Sequence, residues 1–226
     1  MRLALFDLDH TLLPLDSDHA WGEFTITLGW HDAGAFRAMN DRFYEQYQMG
    51  VLNLAEYIHF TTEAIRQRGR AVADAAHAQF MQSVILPAIK PAALELLAKH
   101  RAAGDTLVLI TATNAFVTRP IAQALGFEHL LAVELAQDAH GNYTGAIEGV
   151  PSFREGKVTR MNMWLAAQGK TWQDVERSCF YSDSINDLPL LEQVQQPVAT
   201  NPDAALSSIA QARNWPILQL FDSQTA

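Results

Sequence analysis

The stretch Leu3-Ala4-Leu5-Phe6-Asp7-Leu8-Asp9-His10-Thr11-Leu12 decides the fold of this 226-residue chain. Its apolar residues, with no alternation, read as a short strand buried on both faces, as in a parallel sheet. The strand runs straight into two aspartates at i and i+2, and on extended chain their side chains point to the same side. Two carboxylates where a buried strand ends cost stability unless something compensates them. Asp-x-Asp alone is a weak signal, since chance supplies on the order of one copy in a chain of this size. Asp16-Ser17-Asp18 is a second copy that follows no apolar strand. Context separates the two. The bland reading of Asp7 and Asp9 is a pair of turn or capping aspartates.

Beyond this motif the pattern changes. Phe36, Met39, Phe43 and Tyr47 recur at helical spacing, and Leu54, Ile58 and Ile65 repeat it after Asn53 and Glu56 in capping-box spacing. No strand is evident up to about Val84. From Lys90 onward helices and strands alternate. A helix from Pro91 to His100 is closed by Gly104, a β-rich run covers 106–110, and a second helix is closed by Gly126. Runs at 131–135 and 143–147 flank Asp138-Ala139-His140-Gly141-Asn142, a hairpin turn. Helices at 157–168, 188–194 and from Asp203 then alternate with strands at 179–182, 197–199 and 216–220. Such alternation implies an α/β core of three layers, with a mainly parallel sheet between helices. Residues 1–15 and 86–226 form that core, and residues 16–85 read as a helical insertion. Ligands of such sheets bind beyond the carboxyl ends of the strands.

Three more groups stand at those ends. Thr111-Ala112-Thr113-Asn114 follows a strand and precedes a helix, offering a hydroxyl and backbone N–H groups to an anion; capping by Thr113 or Asn114 is the alternative. Lys157 opens a helix after Arg154-Glu155-Gly156, where the helix dipole disfavours a cation. It reads either as a phosphate holder or as a solvated lysine. Asp183-Ser184-Ile185-Asn186-Asp187 crowds polar groups at a strand end, with Asp183 and Asp187 on one face once the helix starts. With Asp7 and Asp9, four carboxylates converge, and repulsion would raise some of their pKa values unless a cation is present. Magnesium suits such a site, being a hard ion that takes a few carboxylates and keeps water and phosphate oxygens.

Composition narrows the function classes. Hydrophobic residues make up 49% and charged residues 18%, the balance of a globular protein, and the net charge of −9 argues against nucleic acid as the main partner. No apolar run approaches the roughly 18 residues of a membrane span, and acidic residues stand where a signal peptide needs apolar ones. A cytoplasmic protein without a membrane partner is expected. The single cysteine, Cys179, permits no intrachain disulfide and sits in an apolar run, as a small buried hydrophobe would.

In order, Asp7-x-Asp9-x-Thr11-Leu12, Thr111, Lys157 and Asp183-x-x-Asn186-Asp187 resemble the haloacid dehalogenase (HAD) superfamily of phosphohydrolases over essentially the whole chain. Residues 16–85 look like that family's helical C1 cap. The hairpin and Arg154-Glu155-Gly156-Lys157 look like its phosphoserine-phosphatase-like branch. Asp-Ser-Ile-Asn-Asp-Leu-Pro at 183–189 and Asn201-Pro202-Asp203 are similar to subfamily IB, some of whose members are assigned to histidinol phosphate. Phosphoserine phosphatases usually carry Gly-Asp-Gly and Ser-Gly where this chain has Ser182-Asp183-Ser184 and Thr111-Ala112, which puts phosphoserine in doubt.

The resemblance implies a magnesium-dependent phosphomonoesterase with Asp7 as nucleophile and Asp9 as acid and base. Asp7, Asp183 and the Asp9 carbonyl would hold the metal. Thr111, the Ala112 N–H and Lys157 would bind the phosphoryl oxygens. Asn186 would help position that group, and Asp187 would bind metal-linked water or orient Lys157. Cap residues would select the substrate. Asp16 and Asp18, with Glu23 nearby, suit a cationic leaving group such as that of histidinol phosphate, whereas Arg37 or Arg42 would suit the carboxylate of phosphoserine; all these charges are otherwise solvated or capping. Trp21, Phe24 and Trp30 line the pocket or belong to the core, and His10 is a neighbour of the motif rather than a base. The rival classes are a phospho-receiver domain, a non-catalytic phosphate- and magnesium-binding module, and a phosphotransferase. Either a monomer or a homodimer is compatible with the sequence.

Overall fold

The N-terminal apolar run forms β1 (Arg2–Phe6). In the computed structural model, which describes residues 1–221, β1 lies inside a six-stranded sheet. The remaining strands are β2 (Thr106–Asn114), β3 (His129–Val133), β4 (Leu135–Gln137), β5 (Tyr143–Ile147), β6 (Arg177–Ser182), β7 (Gln196–Thr200) and β8 (Ile217–Leu218). The sheet order is β3-β2-β1-β6-β7-β8 with every pairing parallel, while β4 and β5 form a separate antiparallel pair. In β1, Ala4 and Phe6 enter one core cluster and Leu3 and Leu5 the other, all fully buried, as period-two alternation in a doubly covered strand requires.

Six helical segments follow β1: α1 (Ser17–Thr27), α2 (Ala33–Gln48), α3 (Leu54–Thr61), α4 (Glu63–Arg68), α5 (Arg70–Phe80) and α6 (Leu86–Ala88), the last two joined by a π-helical turn over Met81–Ile85. The core helices are α7 (Pro91–Ala102), α8 (Ala115–Ala124), α9 (Glu155–Ala166), α10 (Leu188–Gln193) and α11 (Ala204–Ala212). On the Leu3/Leu5 face pack Met161 and Leu165 of α9, Leu190 and Leu191 of α10, and Leu206 and Ala210 of α11. The opposite face takes Leu97 of α7 and Val117 and Ile121 of α8, and its cluster runs on without a break into Trp21, Ile58, Ala73 and Phe80 of the helical insertion. Trp21 is thus a core residue, and Phe24 and Trp30 pack against that core rather than line the cavity described below.

Local chemistry explains most boundaries. Asp16, Asp32, Asn53, Asn114 and Asp203 cap α1, α2, α3, α8 and α11 with side-chain oxygens on backbone N–H groups. At Asn53 the amide also donates to the Glu56 carboxylate at 2.8 Å. The run at 131–135, read as one strand, is split: β3 ends at Val133, and Leu135 starts the hairpin, pairing with Ile147. Glu134 between them is held by Arg119 and Arg160. β8 is shorter than expected because the Leu220 N–H goes to Asn201 Oδ1 at 2.7 Å instead of to a strand. Met39, placed on the apolar face by spacing, is exposed. The 85/86 boundary falls inside the continuous helical run from α5 to α6. Among the described residues no single helix is long and apolar enough to cross a membrane. Cys179 is buried, and burial, helped by the nearby Asp105 charge, pushes its thiol up to about 11.

Where the three central strands begin, Asp105 ties them together. Its carboxylate meets Arg2 of β1 at 3.0 Å, Arg177 of β6 at 2.8 Å and His100 Nδ1 at 2.7 Å, and His100 Nε2 meets the Tyr181 hydroxyl at 2.8 Å. Burial alone would raise the Asp105 carboxyl, but the bonds from His100 and Arg177 outweigh it and hold it below its ordinary value. Asp105→Asn is expected to lower stability by about 2–4 kcal/mol, read from the urea midpoint, the partly exposed arginines moderating the loss. Because the folded carboxyl is the stronger acid, its contribution is present above about pH 4 and is lost as pH falls through the folded value. The variant's stability should therefore fall less steeply with acid.

Candidate active site

The carboxyl ends of β1, β2 and β6 meet at one side of the sheet; β1 and β6 end just before Asp7 and Asp183, whereas β2 runs past the expected 106–110, so that Thr111 to Asn114 are its last residues rather than a segment after it. Asp7 continues β1 by one ladder bond, its N–H donating to the Tyr181 carbonyl at 2.9 Å. Lys157 crosses to it from the first turn of α9. Its Nζ lies 2.8 Å from Asp7 Oδ1 and 2.6 Å from Asp187 Oδ2, and its side chain is 2% exposed. The solvated reading of Lys157 is thereby overturned. Burial alone would lower the Lys157 pKa, but the charges of Asp187 and Asp7 outweigh it and keep the ammonium protonated. Ser182 donates a further 2.7 Å bond to Asp187 Oδ2. Gly156 lets α9 start this close: a Cβ there would overlap the Pro151 carbonyl oxygen.

The other carboxylates are held in the same way. Asp9 Oδ1 accepts the Ser17 N–H at 2.8 Å, and Oδ2 accepts the Thr113 hydroxyl at 2.7 Å. The Thr11 hydroxyl lies 3.4 Å from Asp7 Oδ2 and 3.2 Å from Asp183 Oδ1, and it accepts the Asp183 N–H at 3.0 Å. Thr111 Oγ1 accepts the Thr113 N–H at 3.1 Å, and Asn114 caps α8 through the Val117 N–H, so the capping reading holds at Asn114.

Too few cations face these acids. Burial, partly offset by Lys157, raises the Asp7 carboxyl to about 6. Burial together with the Asp16 and Asp7 charges lifts Asp9 well above its ordinary value, and burial with Asp7 and Asp187 does the same to Asp183. Lys157 touches Asp7 and Asp187 and leaves Asp183 without a cationic contact among the described residues. A hard divalent cation answers that deficit. No group of three His, Cys, Asp or Glu side chains forms a metal cluster among the described residues. Asp7 and Asp183, both within reach of the Thr11 hydroxyl, are hard carboxylate donors that suit magnesium rather than a softer ion.

Above the acids opens a cavity of about 280 Å³. Asp7, Asp9, Asp16, Asp183, Asn186, Thr111 and Ala112 line it, as do His10 and Asp203. Asp187 and Lys157 stand behind Asp7. Three expected selectivity residues lie elsewhere. Asp18 is buried against Asn114 and Tyr57, and burial with the Asp16 charge raises it to about 7. Arg37 is exposed and bound by both oxygens of Glu23, and Arg42 is exposed away from the cavity. In their place the insertion contributes His19, Asn40, Phe43, Tyr44, Tyr47 and Tyr57. Sequence reasoning took Phe43 and Tyr47 for core spacing. The available clue was Asn40, a polar residue on the apolar stripe of α2; it is 3% exposed, and its Nδ2 has no partner among the described residues.

A profile of the haloacid dehalogenase-like hydrolase family matches residues 4–192, from β1 through α10. The chain belongs to that family. Among relatives of this HAD hydrolase, a histidinol-phosphatase of Neisseria meningitidis serogroup C is 41% identical over 217 residues, covering 96% of this chain and 98% of that protein. A phosphoserine phosphatase of Mycobacterium tuberculosis is 34% identical over 151 residues, 66% of this chain and 48% of that protein, so the HAD hydrolase matches only about half of its length. The crystal structure of a protein of unknown function from Bordetella pertussis Tohama I superposes with a TM-score of 0.91 at 48% identity, covering 97% of this chain and 99% of that one. A substrate-bound phosphoserine phosphatase shares the fold, with a TM-score of 0.64 at 16% identity, covering 96% and 92%.

The close approach at Gly156 is testable. Gly156→Ala must push α9 and Lys157 away from Asp7, with an expected loss of about 1–3 kcal/mol from overpacking. A fall in melting temperature, with the Lys157 contacts displaced in a crystal structure of the variant, is the check.

Proposed function

We propose that this HAD phosphatase hydrolyses small phosphomonoesters with magnesium through a phosphorylated Asp7, and that its substrate is histidinol phosphate. One observation carries the substrate reading. Among the described residues, the cavity is lined by Asp7, Asp9, Asp16, Asp183 and Asp203 but by no lysine or arginine. Such a pocket favours a leaving group that brings a cation, as the ammonium and imidazole of histidinol phosphate do, over the added carboxylate of phosphoserine. The relative at 41% identity supports the same choice. In this reading residues 16–85 are a cap over a core of 1–15 and 86–226, and the Asn40 amide and tyrosines 44, 47 and 57 meet the leaving group.

Asp7 attacks phosphorus, forming the Asp7 O–P bond as the bond to the leaving oxygen breaks. Asp9 gives that oxygen its proton; the raised carboxyl is a competent acid near neutrality, and its bonds to Ser17 and Thr113 fix its aim. The Asp9 carboxylate then takes a proton from water, which attacks phosphorus and frees Asp7 and inorganic phosphate. Thr111 and the Ala112 N–H, on the cavity wall, hold the phosphoryl oxygens in place, while Lys157, held by Asp187 behind Asp7, acts on them through its contact with Asp7. Asp7, Asp183 and the Asp9 carbonyl would hold magnesium, whose charge, when bound, offsets that of the phosphoryl group.

Phosphate release should depend on magnesium, stop on chelation, and vanish in Asp7→Asn. Asp9→Asn is expected to lower kcat by about 10²–10⁴-fold. Across a panel of phosphomonoesters, histidinol phosphate should show the highest kcat/KM. Asp16→Asn, which keeps the α1 cap, should raise KM for it by about tenfold, the equivalent of 1.4 kcal/mol. Preference for phosphoserine would overturn the substrate assignment, and turnover unaffected by Asp7→Asn would overturn the mechanism.

A further inference from the structure

The end of α2 meets the strand-end loops through one amide. Asn186 Nδ2 donates to the Tyr47 carbonyl at 3.2 Å, and Asn186 Oδ1 accepts from Arg154 Nε at 3.1 Å. The Arg154 guanidinium lies 5.3 Å from the centre of the Phe153 ring and rests on Gly50, where a Cβ would overlap it. The Tyr47 ring leans on Phe153, and its hydroxyl stands 3.4 Å from Ser184 Oγ. Arg154 has φ 53°, a left-handed backbone that costs a non-glycine residue of order 1 kcal/mol or more. No carboxylate pairs with it among the described residues. Its place is therefore not explained by an ion pair.

An arginine only donates, and a carbonyl only accepts. Between Arg154 and Tyr47 the Asn186 amide has one permitted orientation, with Oδ1 toward the arginine and Nδ2 toward the α2 end. One Nδ2 hydrogen goes to Tyr47, and the second has no protein partner among the described residues, on a side chain that lines the cavity and is 7% exposed. We propose that Arg154 is a positioning residue that sets the Asn186 amide and seats the end of α2 on it. Docking of the helical insertion and presentation of the second Asn186 N–H to the phosphoryl group are then one event. This inference rests on the phosphatase reading of the cavity.

Arg154→Gly removes the guanidinium and relieves the backbone, so the fold is not put at risk. Inorganic phosphate with magnesium is the probe, read by calorimetry, alongside turnover of p-nitrophenyl phosphate. Phosphate binding should weaken about tenfold and kcat fall about ten- to hundredfold, with the melting temperature held. Arg154→Lys should not restore either, because an ammonium lacks the guanidinium fork. Exchange of the Gly50 and Val51 amides should accelerate in Arg154→Gly. Gly50→Asn, which tolerates the positive φ of 70° at this position and whose Cβ would overlap the guanidinium, should reproduce the loss in the parent and add little in Arg154→Gly. Unchanged phosphate binding in Arg154→Gly, or additive effects of the two substitutions, would overturn the proposal. Phosphate binding and amide exchange need no turnover, so Arg154 is judged even if no ester is hydrolysed, and normal hydrolysis by Arg154→Gly sinks this inference while sparing the function.

Discussion

The Lys157 ammonium, shared between Asp7 and Asp187 with 2% of its side chain exposed, is the contact on which the active end of the molecule depends. It joins β1, α9 and the loop after β6, three pieces of chain brought together only by the parallel sheet. Without it two buried carboxylates would face one another in a low-dielectric pocket, at a cost of several kcal/mol. With it, Asp7 has one cationic neighbour while Asp183 and Asp9 remain in excess. That residual acidity shows in the Asp9 and Asp183 carboxyls, both raised well above their ordinary value by burial and neighbouring carboxylates.

The succession of strands along the chain was legible because most are short apolar runs, and β1 and β6 end where the polar groups begin, whereas β2 runs on through Thr111 to Asn114. Asp7, Asp9, Thr111, Asp183 and Asn186 were readable for the same reason: a strand end aims its last residues at a shared point. Lys157 was readable as a conflict with its helix dipole. The split at Glu134 was not, since an apolar run carries no mark of which neighbour it pairs with. The cavity roof was largely hidden as well. Phe43 and Tyr47 obey the spacing of a core stripe, and a periodic pattern cannot tell a neighbouring helix from a substrate. Arg37 looked available only because its bond to Glu23 spans 14 positions, beyond any local pattern.

Opposite ends of the same strands serve different ends. Asp105 gathers Arg2, Arg177 and His100 where the strands start, with cations in excess, whereas the carboxyl ends gather acids around one lysine. The first network is a fastening and the second a reagent. Because β1 and β6 run through both, a change in register at one end would be felt at the other.

Trp21 lies edge-on to Phe80 and Phe116, 5.4 and 5.5 Å between ring centres, with His77 at 5.4 Å in the same cluster. These rings root α1 and α5 in α8 of the core. Swinging the insertion as a rigid door would unstack them, at about 0.5–1.5 kcal/mol per pair beyond the area exposed. The insertion is thus pinned to the core on both sides: by these rings at its base and by Ile58 of α3, which is fully buried in the same cluster.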